Sequence, residues 1–171
     1  MTPPLFGIVG WKNSGKTTLV ARLITELSQR GYKVAAVKHA HHGFDVDQPG
    51  RDSYKFREAG AREVAVVSGK RVAVIHELRD EEEPLLAEVL KRLSGSDLAL
   101  VEGFKTNDHP KIEARRRDSA QQTAMAGAFP GIVAVAADHE TEAGGLPLFA
   151  LEDVEGVANF IVRHTGLGKG R

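Results

Sequence analysis

The chain contains no cysteine, which excludes disulfides and thiolate metal sites and is compatible with a reducing compartment. It has no excess of either charge. Its 23 Lys and Arg stand against 23 Asp and Glu, so nothing points to a strongly basic nucleic-acid binder or an acidic tail. No segment approaches the ~20 consecutive apolar residues of a membrane span. The Met-Thr-Pro-Pro start lacks the basic and apolar regions of a signal peptide. A cytoplasmic protein without nucleic-acid or membrane partners is therefore expected. Apolar residues make up 42% of the 171, enough to build a sizeable core. One domain over 1–171 is expected, with 165–171 as a frayed tail.

Hydrophobic periodicity supplies the elements. Leu5 to Val9 is a short apolar run that suits a buried strand. Leu19, Val20, Leu23, Ile24 and Leu27 share one face of a helix expected from about Gly15 to Arg30. A second strand encloses Val34 to Val37, and a short helix capped by Asp52 or Ser53 should end near Gly60. Arg62 to Val67 and Arg71 to His76 read as a hairpin turning at Ser68-Gly69. A helix follows Pro84, and Leu98 to Val101 forms another apolar strand. Pro110 to Arg116 alternates like a half-exposed strand, and Ile132 to Ala136 is a last core strand. Leu151 to His164 is a C-terminal helix. The fold class this implies is α/β, a three-layer P-loop nucleotide-binding fold. Its central sheet is mostly parallel but mixed, with a β-hairpin extension.

The chemistry begins after the first strand. Gly10-Trp11-Lys12-Asn13-Ser14-Gly15-Lys16-Thr17 matches G-x-x-x-x-G-K-[ST] at every fixed position, between an apolar strand and an amphipathic helix. Gly10 and Gly15 allow backbone angles that side chains forbid. The loop amides can then surround phosphate oxygens at the positive end of the new helix. Lys16 adds a cation at the outer phosphates and Thr17 a hydroxyl for Mg²⁺, and the candidate nucleotide-binding residues run from Gly10 through Thr18.

A carboxylate is needed near that metal, at the C-terminal end of a neighbouring parallel strand. Asp97 and Glu102 flank Leu98 to Val101 but lie about 17 Å apart at ~3.3 Å per residue, so only one can serve, and strand polarity selects Glu102. The segment from His39 through His41, His42, Asp45 and Asp47 can sense a γ-phosphate. Asp45 and Asp47 can reach Mg²⁺ through water. The same histidines also suit Zn²⁺ or Ni²⁺. Lys16, Glu102 and Asp47 are the candidate catalytic groups. Lys105 can reach a phosphate, Arg51 is a candidate for transition-state charge, and Asp138 stands where a carboxylate can read guanine N1 and N2. Arg115, Arg116 and Arg117 read as a solvated charge run, with an anion surface as the alternative.

Several of these blocks together resemble the molybdopterin-guanine dinucleotide biosynthesis protein B (MobB) family. They are the loop through Leu19, the stretch Val37 to Asp47, Pro49-Gly50-Arg51-Asp52-Ser53, Leu100 to Lys105, and Pro110-Lys111-Ile112-Glu113. The resemblance implies a GTP- and Mg²⁺-dependent adapter with slow hydrolysis, typically a homodimer. It would assist the guanylyltransferase that joins GMP to molybdopterin, and molybdopterin is itself a possible ligand. Trp11 stands where some related proteins carry a lysine that reaches across a dimer, and Lys12 is not given that role. Two other readings stay open: a P-loop small-molecule kinase, and a metallochaperone GTPase using the histidines.

Overall fold

The computed structural model describes residues 2–40 and 43–167. His41, His42 and the tail residues 168–171 lie outside the described residues. Contacts divide the chain into two compact units, Met1–His39 with Leu86–Arg171, and Ala40–Leu85.

The larger unit is built on a six-stranded sheet ordered β2-β5-β1-β6-β7-β8, in which every pairing is parallel. Its strands are β1 (Leu5–Val9), β2 (Val34–Lys38), β5 (Leu98–Glu102), β6 (Lys111–Arg115), β7 (Ile132–Ala137) and β8 (Leu148–Ala150). Helix α1 (Lys16–Gln29) buries Leu19, Val20, Leu23 and Leu27. With α4 (Val154–Thr165) it covers the sheet face carrying Phe6, Ile8, Leu98, Leu100 and Ile112. Helix α3 (Leu86–Lys91) covers the opposite face over Ala35, Ala99 and Val101. The result is a helix–sheet–helix sandwich.

Local chemistry sets the helix ends. Gly31 takes φ 88°, and bonds from Gly31 N to Ser28 O and from Tyr32 N to Leu27 O close α1. At α4 the carboxylate of Asp153 accepts from Gly156 N at 2.9 Å, so the helix starts after Asp153 rather than at Leu151. Leu151 is instead buried under the phosphate loop, where a side chain on Gly15 would meet it.

Strand β6 departs from the sequence reading, which has it half-exposed. All five residues are buried. Lys111, Glu113 and Arg115 alternate along the strand, and each charge has partners among the segments around it. Lys111 Nζ donates to the carbonyls of Asn107 and Pro130. Glu113 accepts from Met125 N at 2.8 Å and Ala126 N at 2.9 Å. Arg115 donates to Glu113, to Thr141 Oγ1 and to Glu142 O.

Beside Lys111, His109 is buried, and among the described residues neither of its ring nitrogens is hydrogen-bonded. Burial first, and Lys111 second, push its pKa down to about 4. The unfolded chain, with a pKa near 6.5, therefore binds the proton more readily. The contribution of His109 to stability should be constant above about pH 6.5 and should fall by about 2 kcal/mol between there and about pH 4, after allowance for residual solvent screening. Urea unfolding against pH tests this: His109→Gln should flatten that part of the profile, and an unchanged slope would assign it to other groups.

In the smaller unit, α2 (Asp52–Glu58) precedes the antiparallel pair β3 (Glu63–Val67) and β4 (Val72–His76). The pair forms a sheet of its own, so the expected mixing of antiparallel strands into the central sheet does not occur. The turn takes four residues, Ser68 to Arg71, rather than two. Ser68 N donates to Arg71 O, and Ser68 Oγ accepts from the amides of Lys70 and Arg71. Val67 faces Val72 and Ala65 faces Val74 across the pair, leaving an exposed apolar face.

Candidate functional site

The loop from Gly10 to Thr17 leaves the end of β1 and turns into α1. Gly10, Asn13 and Gly15 all have positive φ, at 152°, 62° and 90°. At Gly10 a Cβ would fall onto Ser14 Oγ and the Ala114 carbonyl, so only glycine fits. The loop closes on itself through Ser14 N to Trp11 O at 3.2 Å. Lys16 Nζ donates to the same carbonyl at 2.6 Å. Burial lowers the Lys16 pKa, Glu102 opposes that shift, and Lys38 adds to it. Asn13 to Thr18, with Arg116, line an open depression of about 290 Å³. Ser14 Oγ is buried and has no hydrogen-bond partner among the described residues.

Strand β5 delivers the acid. Its register pairs Glu102 with Ile8 on one side and Lys38 on the other. Thr17 Oγ1 donates to the Glu102 carboxylate at 3.1–3.2 Å, and Lys38 Nζ lies 3.6 Å from it. A hydroxyl and a carboxylate facing each other beside the loop lysine form a hard-oxygen pair of the kind that suits Mg²⁺. The chain then turns sharply at Gly103, φ 95°, and Phe104, φ 52°. Gly103 N bonds Ile8 O, His39 N bonds Glu102 O, and the His39 and Phe104 rings stack at 4.5 Å. Lys38 escaped the sequence reading. Its signal is its place at the end of the strand that pairs with β5.

On the other flank, Asp138 follows β7. Its Oδ1 accepts from Arg117 N at 2.8 Å and lies 2.8 Å from His139 Nδ1, while Oδ2 stands 3.7 Å from Arg116 Nε. His139 first, then the Arg117 amide and Arg116, hold its carboxyl below the usual carboxylate range. Trp11 donates its Nε1 to Thr123 O at 2.7 Å. Lys105 lies with its ammonium 5.0 Å from the Trp11 ring and 5.2 Å from that of Phe129. Lys12 is exposed, and its carbonyl accepts from Ser119 Oγ at 3.0 Å.

In the smaller unit Asp45 and Asp47 converge on Arg57, at 2.8 and 3.5 Å, and Glu77 joins them at 2.6 Å. Ser53 Oγ also donates to Asp47. The bond from Arg57 lowers the Asp45 pKa, and the acids raise that of Arg57. Arg57 is absent from the sequence reading, although an arginine at the end of a helix beside paired aspartates is the signal for it. Arg51 caps α2 and is exposed. Among the described residues no three His, Asp or Glu side chains are arranged to hold a metal ion.

Residues 5–138 match the family model described as molybdopterin guanine dinucleotide synthesis protein B. The chain is 40% identical over 161 residues to the molybdopterin-guanine dinucleotide biosynthesis adapter protein of Escherichia coli K12, covering 93% of this chain and 91% of that one. A crystal structure of molybdopterin-guanine biosynthesis protein B superposes with a TM-score of 0.73 at 31% identity, over 94% of this chain and 99% of that one. Bacillus subtilis MobB superposes with a TM-score of 0.75 at 25% identity, over 95% and 98%. A family match spanning most of the chain, a relative of nearly equal extent and a shared α/β fold agree, and the chain belongs to the MobB family.

Proposed function

We propose that this protein is a Mg²⁺·GTP-binding adapter in the assembly of molybdopterin guanine dinucleotide, assisting the guanylyltransferase of that pathway in the cytoplasm. The observation that carries the reading is the meeting of Thr17 and Glu102 at 3.1–3.2 Å beside Lys16, at the mouth of α1. The loop amides and Lys16 would hold the phosphates. Thr17 and Glu102 would hold Mg²⁺, which screens phosphate charge when bound. Asp45 and Asp47, paired here with Arg57, remain proposed metal ligands. The segment from His39 to His42 would sense the terminal phosphate or meet the pterin phosphate. Arg51 and Lys105 remain proposed phosphate contacts, with Lys105 leaving its place over Trp11 to act. Slow hydrolysis follows if no arginine is supplied to the transition state by a partner.

Asp138 would read the guanine edge through Oδ2, because Oδ1 is already engaged. Direct titration of GTP and ATP with Mg²⁺ tests this. GTP should bind at least about tenfold tighter, as expected for a carboxylate pairing with N1 and N2. Asp138→Asn should shift preference toward xanthosine triphosphate. Equal affinity for GTP and ATP would remove the guanine assignment.

A homodimer formed through the hairpin is part of the same reading. Val67, Val72 and Val74 expose an apolar face, and an isolated two-stranded sheet is marginal in water. Pairing with a second copy would bury that face.

A further inference from the structure

We propose that Arg116 is a direct ligand of the polyphosphate, gripping it from the flank opposite Glu102, close to the phosphate that carries the nucleoside. The inference rests on the reading of the loop as a nucleotide site.

Its basis is placement. β6 runs parallel to β1 with Val9 opposite Glu113, so three residues further on the chain emerges on the same side as the loop that leaves β1 at Gly10. There Gln122 pins the backbone: its Nε2 donates to the carbonyls of Arg116, Arg117 and Ser119. Arg116, unlike the buried Arg115, lines the depression shared with Asn13 to Thr18.

The guanidinium is directed but not consumed. Asp138 Oδ2 stands 3.7 Å from Nε, beyond hydrogen-bond length. Among the described residues the Arg116 side chain makes no hydrogen bond, and it is 43% exposed. Its planar fork matches the spacing of phosphate oxygens. The position along the ligand follows from strand order. Glu102 sits on the β5 side of β1, where Thr17 marks the metal and the terminal phosphates, whereas Arg116 sits on the β6 side. An arginine there meets the inner phosphates, which GTP and GDP share.

Isothermal titration calorimetry with Mg²⁺·GTP, Mg²⁺·GDP and Mg²⁺·ATP on wild type, Arg116→Ala and Arg116→Lys tests the proposal. Arg116→Ala should weaken GTP and GDP by a common factor of about ten to a hundred. The GTP-to-ATP ratio should stay unchanged, and the unliganded melting temperature should stay within about 2 °C of wild type. Arg116→Lys should recover part of the loss. Unchanged affinity would overturn the proposal. So would loss confined to GTP, which would put the arginine at the terminal phosphate, or a changed GTP-to-ATP ratio, which would put it on the base. Arg116→Gln repeats the test should the alanine variant unfold. A wild type that binds none of the three nucleotides would sink the reading of the site itself, before any variant is compared.

Discussion

Replacing Lys16 by alanine is expected to weaken nucleotide binding by more than a hundredfold while leaving the empty protein as stable as wild type. The two halves of that expectation have one cause. In the folded chain the Lys16 ammonium is half-buried and donates to the loop carbonyl of Trp11. Its lowered pKa says that the fold, on balance, disfavours the charge. Removing it therefore takes away a small hydrogen-bond gain together with an opposing desolvation cost. A polyphosphate reverses the balance, because several negative oxygens then surround the cation where water is scarce. Losing such a contact costs about 3 kcal/mol or more. Parallel titrations and thermal melts of the two proteins check both halves. Near-normal binding by the variant would contradict the placement of the site, and a collapse in melting temperature would show that the lysine is structural.

The largest loss of stability is expected at Glu113. This carboxylate is almost fully buried and accepts from two backbone amides and from Arg115. Glu113→Ala leaves Met125 N and Ala126 N without this acceptor and takes the paired carboxylate from a buried guanidinium that keeps only the neutral acceptors Thr141 Oγ1 and Glu142 O. Breaking a buried pair in this way costs about 3–5 kcal/mol. Glu113→Gln, which keeps one acceptor oxygen, should cost less. Denaturant unfolding measures both, and a loss below about 1 kcal/mol in the alanine variant would mean that water or rearrangement satisfies the orphaned groups. Nucleotide affinity should fall in the same variant, since the chain that Glu113 anchors also carries Arg116 and the Thr123 carbonyl that holds Trp11.

What could be read from the sequence follows how local each signal is. The phosphate loop is eight consecutive residues, so its pattern survives without knowledge of the fold. The apolar run of β5 fixes a strand, and strand polarity then distinguishes Glu102 from Asp97, whose carboxylate bonds Lys33 N at the other end. By the same reasoning Arg116 falls between a solvated charge run and an anion surface and is not singled out from its neighbours. It is the middle member of a basic triplet, and its neighbours in space lie about a hundred residues earlier in the chain. β6 misleads for a related reason: alternating charges look like a solvated face, and only partners distant in the sequence explain why Lys111, Glu113 and Arg115 are inside. The three residues of β8 are too few to show a period. The hairpin's strands are plain in the pattern, but no periodicity tells whether they join the main sheet or pair alone.

Trp11 is the chain's single tryptophan, and it sits within the phosphate loop with Phe129 at its edge and an ammonium over its ring. Ultraviolet emission excited at the indole band therefore originates from this one place. Any displacement of Lys105, or any break in the bond to Thr123, alters the polarity and quenching around the fluorophore. The unlabelled protein carries its own optical probe of whether the loop has changed its company.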